Sequence, residues 1–254
     1  MPMRIALLCL MLNSLASAEP TLPFSTVFRG ESKFNDLVEL AQKGNWKSLP
    51  LNERMGKVAL ALRGTPYQNY TLEIDDHIEA ASVDLNAFDC WTFFETTLAF
   101  ARMLPLKDSG YTPQDLLKLI EMDRYKGGHC EGYLTRLHFL EQWSADNQSR
   151  GLVKNITEEL GGVRMRHRDL TEMTDAYKSY RYLASDHSLI PRIAEVQRQV
   201  SDLPVYFIPK SDVPDAEPKL KTGDVICIAI GGIETGTSRG RTTITPIRLL
   251  LSLR

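Results

Sequence analysis

Residues 85–95 constrain the fold more than any other part of the sequence, because they place one cysteine at the start of a predicted helix. From Cys90 onward, apolar residues recur at helical spacing, and they are Cys90, Phe94, Leu98 and Ala101. This face can pack against a core, and Asn86 or Asp89 can cap the first turn. A helix N-terminus stabilises a thiolate, which is the reactive form of cysteine. An isolated cysteine in such a pattern is more typical of a buried core residue, and it is the sequence around Cys90 that favours a candidate nucleophile instead.

Composition narrows the class of protein. The chain has 254 residues, of which 43% are hydrophobic and 24% charged, so we expect one globular domain over residues 19–254, with an atypical tail at 231–254. Its formal charge of -2 gives no sign of the basic surface that proteins use to bind nucleic acid. The alternating sequence Arg-Met-Arg-His-Arg at 164–168 is a local exception. It is either a solvated basic face or a site for an anionic ligand.

The first 18 residues have the pattern of a secretory signal peptide. An apolar run at 5–12 follows Arg4, and Ala-Ser-Ala stands at 16–18. This run is too short to span a bilayer, and no later segment reaches the length of a transmembrane helix. We therefore expect an exported, periplasmic protein.

Export leaves three cysteines in the mature chain, namely Cys90, Cys130 and Cys227. In a compartment that permits disulfides, an odd number means that one thiol stays free or pairs outside the chain. If Cys90 is the free thiol, Cys130 and Cys227 could form a bridge.

Helical patterns precede strand patterns along the chain. The helical ones include a stripe at 51–62, a second at 116–120, a third that starts at Tyr133 and carries Arg136 and His138, and a fourth at 189–200. Extended segments are predicted at 71–74, 163–168, 205–208 and 225–230. This order predicts an α+β fold in which the Cys90 helix packs on an antiparallel sheet.

Four ordered blocks of sequence carry a resemblance to a known family. They are Gly-Thr-Pro-Tyr at 64–67, Leu-Asn-Ala-Phe-Asp-Cys-Trp-Thr-Phe-Phe-Glu at 85–95, Gly-Tyr-Leu-Thr-Arg-Leu-His-Phe at 132–139 and Lys-Thr-Gly-Asp-Val-Ile at 221–226. In this order they resemble the N-acetylmuramoyl-L-alanine amidase-like family, an exported branch of the NlpC-type papain-like cysteine hydrolases.

The resemblance implies a papain-like fold and cleavage of the bond between N-acetylmuramic acid and L-alanine in peptidoglycan fragments. Cys90 matches the nucleophile of the family, and Tyr67 matches a tyrosine near it, although Tyr67 could equally be a packing residue of the turn. We expect Arg136 and His138 on the substrate side, with His138 a structural or substrate-binding residue rather than the base. Muropeptides are the expected partners of a monomer that needs no metal and no cofactor.

The chain departs from the family after Asp224. In the family a catalytic histidine follows the Gly-Asp strand, but the five histidines here are His77, His129, His138, His167 and His187. The sequence Thr-Ser-Arg-Gly at 237–240 can be encoded ACA TCA CGT GGG, and a shift of one base gives codons for His-His-Val. We therefore expect a truncated or frameshifted tail that removes the base of Cys90 and leaves the strand at 225–230 with an unpaired edge.

Three functional hypotheses follow from these observations. The first is an exported cysteine amidase that is impaired by loss of its histidine. The second is a non-catalytic peptidoglycan-binding remnant or a non-functional truncated product. The third is an NlpC-type endopeptidase that cuts within the stem peptide.

Overall fold

The computed structural model of the protein describes residues 21–166, 168–229 and 247–251. The predicted signal peptide at 1–18 and most of the predicted atypical tail lie outside these residues. Within the described part of the chain, no helix is long and apolar enough to span a membrane.

Helices form most of the first half of the chain. The α-helices are α1 (Phe24–Val27), α2 (Glu31–Lys43), α3 (Leu51–Ala61), α4 (Cys90–Met103), α5 (Pro113–Arg124), α6 (Leu140–Ser149), α7 (Glu172–Asp175), α8 (Arg181–Ser185), α9 (Ile190–Ser201) and α10 (Val213–Ala216). Short 3-10 turns lie at Trp46–Ser48, Leu104–Leu106, Lys126–Gly128, Tyr133–Thr135, Tyr177–Ser179, His187–Leu189, Lys210–Asp212 and Glu217–Lys219.

The strands are short and paired two by two. They are β1 (Phe28–Arg29), β2 (Val83–Asp84), β3 (Val163–Arg164), β4 (Tyr206–Phe207), β5 (Val225–Ala229) and β6 (Ile247–Leu251). β1 and β2 are parallel, whereas β3 pairs with β4 and β5 with β6 in antiparallel register. The predicted α+β class is confirmed. β6 pairs along one edge of β5, with Cys227 opposite Leu249. In this two-stranded sheet the other edge of β5 has no ladder partner among the described residues, which agrees with the expected unpaired edge.

Helix α4 is the centre of the largest core. Residues 98–101 of this helix are fully buried, so it is enclosed by other elements at that level. Phe34 of α2, Val58 of α3 and Leu116 of α5 belong to the same cluster. Val225 and Cys227 of β5 pack against this cluster from the strand side. The predicted packing of the Cys90 helix on an antiparallel sheet is therefore observed only in part, because its main neighbours are the helices α3 and α5 and the β5–β6 pair contributes at the side.

The helix predicted to begin at Tyr133 is wrong. Tyr133 starts a single 3-10 turn, the backbone of Arg136 is extended, and α6 begins only at Leu140. The backbone N–H of Leu137 donates to the carbonyl of Arg124 (2.9 Å), so this segment pairs with the end of α5 instead of coiling. Consequently, Arg136 and His138 lie on an extended segment and not on a helix.

Two further extended segments form less ladder than expected. Residues 71–74 form no strand, and the alternating segment at 163–168 contributes only Val163–Arg164 to a ladder. The helical predictions at 51–62, 116–120 and 189–200 are confirmed by α3, α5 and α9.

A buried ion pair joins α4 to the end of α5. The Arg124 guanidinium donates to Glu95 Oε2 from Nη2 (2.6 Å) and from Nε (2.9 Å), and both side chains are almost fully buried. Arg124 Nη1 donates to the hydroxyl of Ser82 (3.2 Å), and the Trp91 indole N–H donates to Glu95 Oε1 (3.4 Å). Burial lowers the pKa of Arg124, but the Glu95 carboxylate more than offsets this and the pKa is raised. Burial raises the pKa of Glu95, and the Arg124 charge opposes this, so the carboxylate depends on Arg124 for its ionised form.

A second ion pair between the same helices links Arg102 to Asp123. Asp123 is fully buried, and its Oδ2 has no hydrogen-bond partner among the described residues. Burial raises the pKa of Asp123 from 3.8 to about 6, although the Arg102 charge acts in the opposite direction. The folded protein therefore binds a proton at Asp123 at a higher pH than an exposed aspartate would.

We expect Arg124→Gln to lower the free energy of unfolding by about 3–5 kcal/mol, because it leaves the Glu95 carboxylate buried without its cation. Arg198→Gln is the matched control, since it breaks an exposed pair with Glu195 that water screens, so its stability loss should be much smaller. Urea unfolding of the three proteins at pH 7 measures both changes. Equal stability losses would contradict a special role of the buried pair.

Asp123 predicts a pH dependence of stability. Its pKa is higher in the folded state than the ordinary 3.8, so the folded chain binds more protons between pH 4 and 6, and the free energy of unfolding falls as the pH rises. Asp123→Asn removes this contribution. Relative to wild type, the variant should gain stability between pH 4 and 7, by up to about 3 kcal/mol. Parallel urea titrations at four pH values check it, and a difference that does not change with pH would exclude it.

Candidate functional site

Cys90 is the first residue of α4, and a capping box fixes the helix start. Asp89 is the N-cap residue, and its Oδ1 accepts from the backbone N–H of Thr92 (2.7 Å). In return, Thr92 Oγ1 accepts from the backbone N–H of Asp89 (3.1 Å). Of the two caps that the sequence allows, Asp89 rather than Asn86 is used. These reciprocal bonds satisfy two donors and hold the Cys90 backbone in the first turn.

Thr71 holds the other oxygen of the cap. Its hydroxyl donates to Asp89 Oδ2 (2.6 Å) and lies 2.9 Å from the hydroxyl of Thr92. The segment that follows Tyr70 is thereby attached to the start of α4. Sequence reasoning missed this residue, because nothing local marks a threonine that contacts a helix cap 18 positions along the chain.

The three cysteines among the described residues are free thiols with different surroundings. Cys90 is exposed, whereas Cys130 and Cys227 are half-buried, so the suggested bridge between Cys130 and Cys227 is not formed. Burial raises the pKa of Cys227 to about 12, and the nearby Glu141 and Cys90 charges act in the same direction. Burial also raises the pKa of Cys130. Cys90 is thus the accessible thiol, and Cys227 of β5 lies within electrostatic range of it.

A pocket of about 360 Å³ opens beside the cap of α4. Asp89, the residue that precedes Cys90, forms part of its wall. Apolar and aromatic side chains provide most of the remaining wall. The lining residues are Tyr70, Leu72, Glu73, Asp89, Arg136, Leu137, His138, Phe139, Glu172, Met173 and Tyr180. The structure therefore brings Arg136 and His138 together in one pocket.

Arg136 is buried in the pocket wall and bound on several sides. Its Nη2 donates to Glu73 Oε1 (2.7 Å), its Nη1 donates to the Leu72 carbonyl (3.1 Å), and its Nε lies 3.7 Å from Glu79 Oε1. The guanidinium also lies 4.7 Å from the ring centroid of Tyr133. Two carboxylates compensate its charge, so Arg136 chiefly fixes the shape of the wall. Its predicted contact with substrate stays a prediction.

His138 is held neutral in the same wall. Its Nε2 lies 2.9 Å from the Tyr133 carbonyl oxygen, and its ring packs against the Tyr133 ring with 4.6 Å between centroids. Loss of hydration, together with the smaller effect of the Arg136 charge, lowers the pKa of His138 to about 3, against the Tyr133 hydrogen bond. With so low a pKa, and with Nε2 donating to a carbonyl, this imidazole is a weak base. This geometry fits a wall residue better than a base.

The backbone of Tyr67 lies near the residues that precede Cys90, but the Tyr67 side chain lies outside the pocket. The residues on either side of it pair with Phe88, since Gln68 N–H donates to the Phe88 carbonyl (2.9 Å) and Phe88 N–H donates to the Pro66 carbonyl (3.1 Å). The tyrosine itself is 67% exposed and does not line the pocket. Its role in substrate contact stays a prediction.

Comparison with known proteins places this geometry in a family. The family model described as "AmiA-like: N-acetylmuramoyl-L-alanine amidase-like" matches residues 57–234. The chain belongs to this family. The matched region includes α4, the pocket and β5. No curated protein sequence matches the chain.

Several solved structures share the fold of this amidase-like chain. An N-acetylmuramoyl-L-alanine amidase from Bacteroides uniformis ATCC 8492 is 22% identical with a TM-score of 0.64, over 78% of either chain. A Bacteroides fragilis protein provisionally named a xylanase is 28% identical with a TM-score of 0.61, over 68% of this chain and 74% of the other. A Legionella pneumophila protein is 18% identical with a TM-score of 0.51, over 88% and 80%.

We expect Cys90 to react first when the folded protein is exposed to a small alkylating agent such as iodoacetamide. Cys90 is exposed, whereas burial and a raised pKa protect Cys130 and Cys227. Peptide mass spectrometry after timed labelling identifies each site separately. Cys90→Ala should abolish the early phase. Labelling of Cys227 as fast as Cys90 would contradict the assigned environments.

Proposed function

We propose that this chain is an exported, cysteine-dependent amidase-like protein of the papain-like, NlpC type that recognises the N-acetylmuramoyl-L-alanine bond of peptidoglycan fragments. We further propose that its hydrolytic activity is impaired. The observation that carries the first part is an exposed thiol at the first position of a buried helix, next to a pocket, in a chain of the amidase-like family.

The chemistry that Cys90 would perform is acyl transfer. The thiolate attacks the amide carbonyl carbon, the C–N bond to alanine breaks, and the leaving nitrogen takes up a proton. Water then hydrolyses the thioester, which restores the thiol and releases the carboxylic acid of the muramoyl group. Backbone N–H groups of the first turn of α4 would stabilise the oxyanion.

The proposed impairment concerns the proton that the leaving amine requires. In a cysteine–histidine pair, the imidazole supplies this proton. Among the described residues no histidine forms a hydrogen bond with Cys90, and the low pKa of His138 makes it an unsuitable substitute. The given sequence has no histidine after Asp224, where the family resemblance expects one. A lone thiolate cannot protonate an amine, so we expect slow or absent turnover.

Retained binding without catalysis is the second candidate function. The expected catalytic histidine is part of neither the pocket, nor the cap of α4, nor the Glu95–Arg124 ion pair. Its absence therefore leaves all three in place. A peptidoglycan-binding protein would use the same pocket.

We expect the unaltered chain to cleave purified muropeptides no faster than its Cys90→Ala variant, while both bind them equally. Chromatography with mass spectrometry measures the products, and calorimetry measures binding. A version with the reading frame shifted from Thr237 onward should show Cys90-dependent release of the sugar from the peptide. Products cut within the peptide would favour the endopeptidase alternative.

Robust Cys90-dependent turnover by the unaltered chain would refute the proposed impairment. His138→Gln and His187→Gln then become the decisive variants, because each removes one imidazole while preserving a hydrogen-bonding side chain. Loss of turnover in only one of them would identify that histidine as the substitute base.

A further inference from the structure

The basic segment at 164–168 forms one wall of a second pocket, of about 280 Å³, against the C-terminal end of α9. Arg164, Arg166 and Arg168 all line it, opposite Ser201 and Asp202. We call it the arginine pocket. It shares no lining residue with the pocket beside Cys90.

Pairing with β4 fixes the start of the basic segment. Arg164 pairs with Tyr206 in the β3–β4 ladder, and the backbone N–H of Met165 continues the pairing by donating to the Val205 carbonyl (2.8 Å). Side chains two residues apart in an extended chain have the same orientation, which accounts for Arg164 and Arg166 on one wall. Arg168 lines the same pocket beyond the end of the ladder.

The other end of the segment is fixed to α9. The backbone N–H of Leu170 donates to the hydroxyl of Ser201 (3.0 Å), and that hydroxyl donates to the Gln197 carbonyl (2.8 Å). Both Ser201 and Gln197 are buried. The backbone on either side of the arginine-bearing segment is thus held, which reduces the ordering entropy that opposes ligand binding.

The charge of the lining is positive. Three arginines face one carboxylate, that of Asp202, which lies 3.4 Å from Arg198 Nη1 outside the pocket. Arg168 is paired with Glu141 at 2.8 Å. Arg164 is exposed and makes no side-chain hydrogen bond or ion pair with any described residue. Since the whole chain carries a formal charge of -2, this positive pocket is a local feature rather than the consequence of a basic protein.

We propose that the arginine pocket binds an oxoanion, the carboxylate or phosphate group of a ligand. Guanidinium groups bind such groups through paired, charge-assisted hydrogen bonds. A basic face that only contacts solvent needs no pocket, whereas these arginines line one. Of the two interpretations that the sequence leaves open, this arrangement favours the anion site over the solvated face. The site is independent of Cys90 and of the amidase chemistry.

The test measures binding of two probes to the full protein by calorimetry. Inorganic phosphate represents the phosphate source, and tricarballylate represents a ligand with several carboxylates. We expect at least one probe to bind, with an affinity that falls as the salt concentration rises. Arg164→Gln should weaken this binding about tenfold, since one charge-assisted interaction is lost.

Two variants serve as controls. Arg192→Gln removes an exposed arginine of α9 outside the pocket, and Cys90→Ala removes the candidate nucleophile, so both should bind the probes as the wild type does. Circular dichroism verifies that each variant is folded. The probe that binds more tightly indicates the source of the oxoanion. Absence of binding of both probes at millimolar concentration would overturn the proposal, as would equal effects of Arg164→Gln and Arg192→Gln.

Discussion

The ion pair between Glu95 and Arg124 determines how the candidate nucleophile is presented. A carboxylate in the middle of the buried helix α4 is unfavourable unless a cation accompanies it, and only the end of α5 supplies one in the described core. This requirement fixes the rotation of α4 about its axis, because any other rotation would separate the charges. The Trp91 indole, which follows Cys90, donates to the same carboxylate. The exposure of the thiol is thus coupled to the packing of two helices.

A second charged network shapes the pocket beside this helix. Arg136 joins the carboxylates of Glu73 and Glu79, which precede α4, to the extended segment that follows α5. Its positive charge is compensated within the protein, and the neutral state of His138 follows partly from that same charge. The pocket therefore presents a shaped, largely apolar wall rather than a free cation. Arg164, in contrast, makes no such internal pair with a described residue, and this contrast distinguishes the two pockets.

Local signals allowed much of α4 to be predicted from the sequence, and long-range contacts account for what was missed. The helical spacing from Cys90 and the acidic cap at Asp89 are encoded within a few residues, so the helix start is as predicted. The segment at 133–138 also has helical spacing, but Arg136 contacts Glu73, 63 positions earlier, and Leu137 pairs with α5. Tertiary contacts override the local pattern there. No pattern in a single sequence reveals partners so distant.

The scaffold and the catalytic proton relay depend on different parts of the chain. The cap, the Glu95–Arg124 pair and the Arg136 network all involve residues before 140, whereas the histidine that the family resemblance expects would follow Asp224. None of these contacts involves a residue after Asp224, so the impairment that we propose leaves them in place. Under that proposal, binding and hydrolysis are separable properties of the chain.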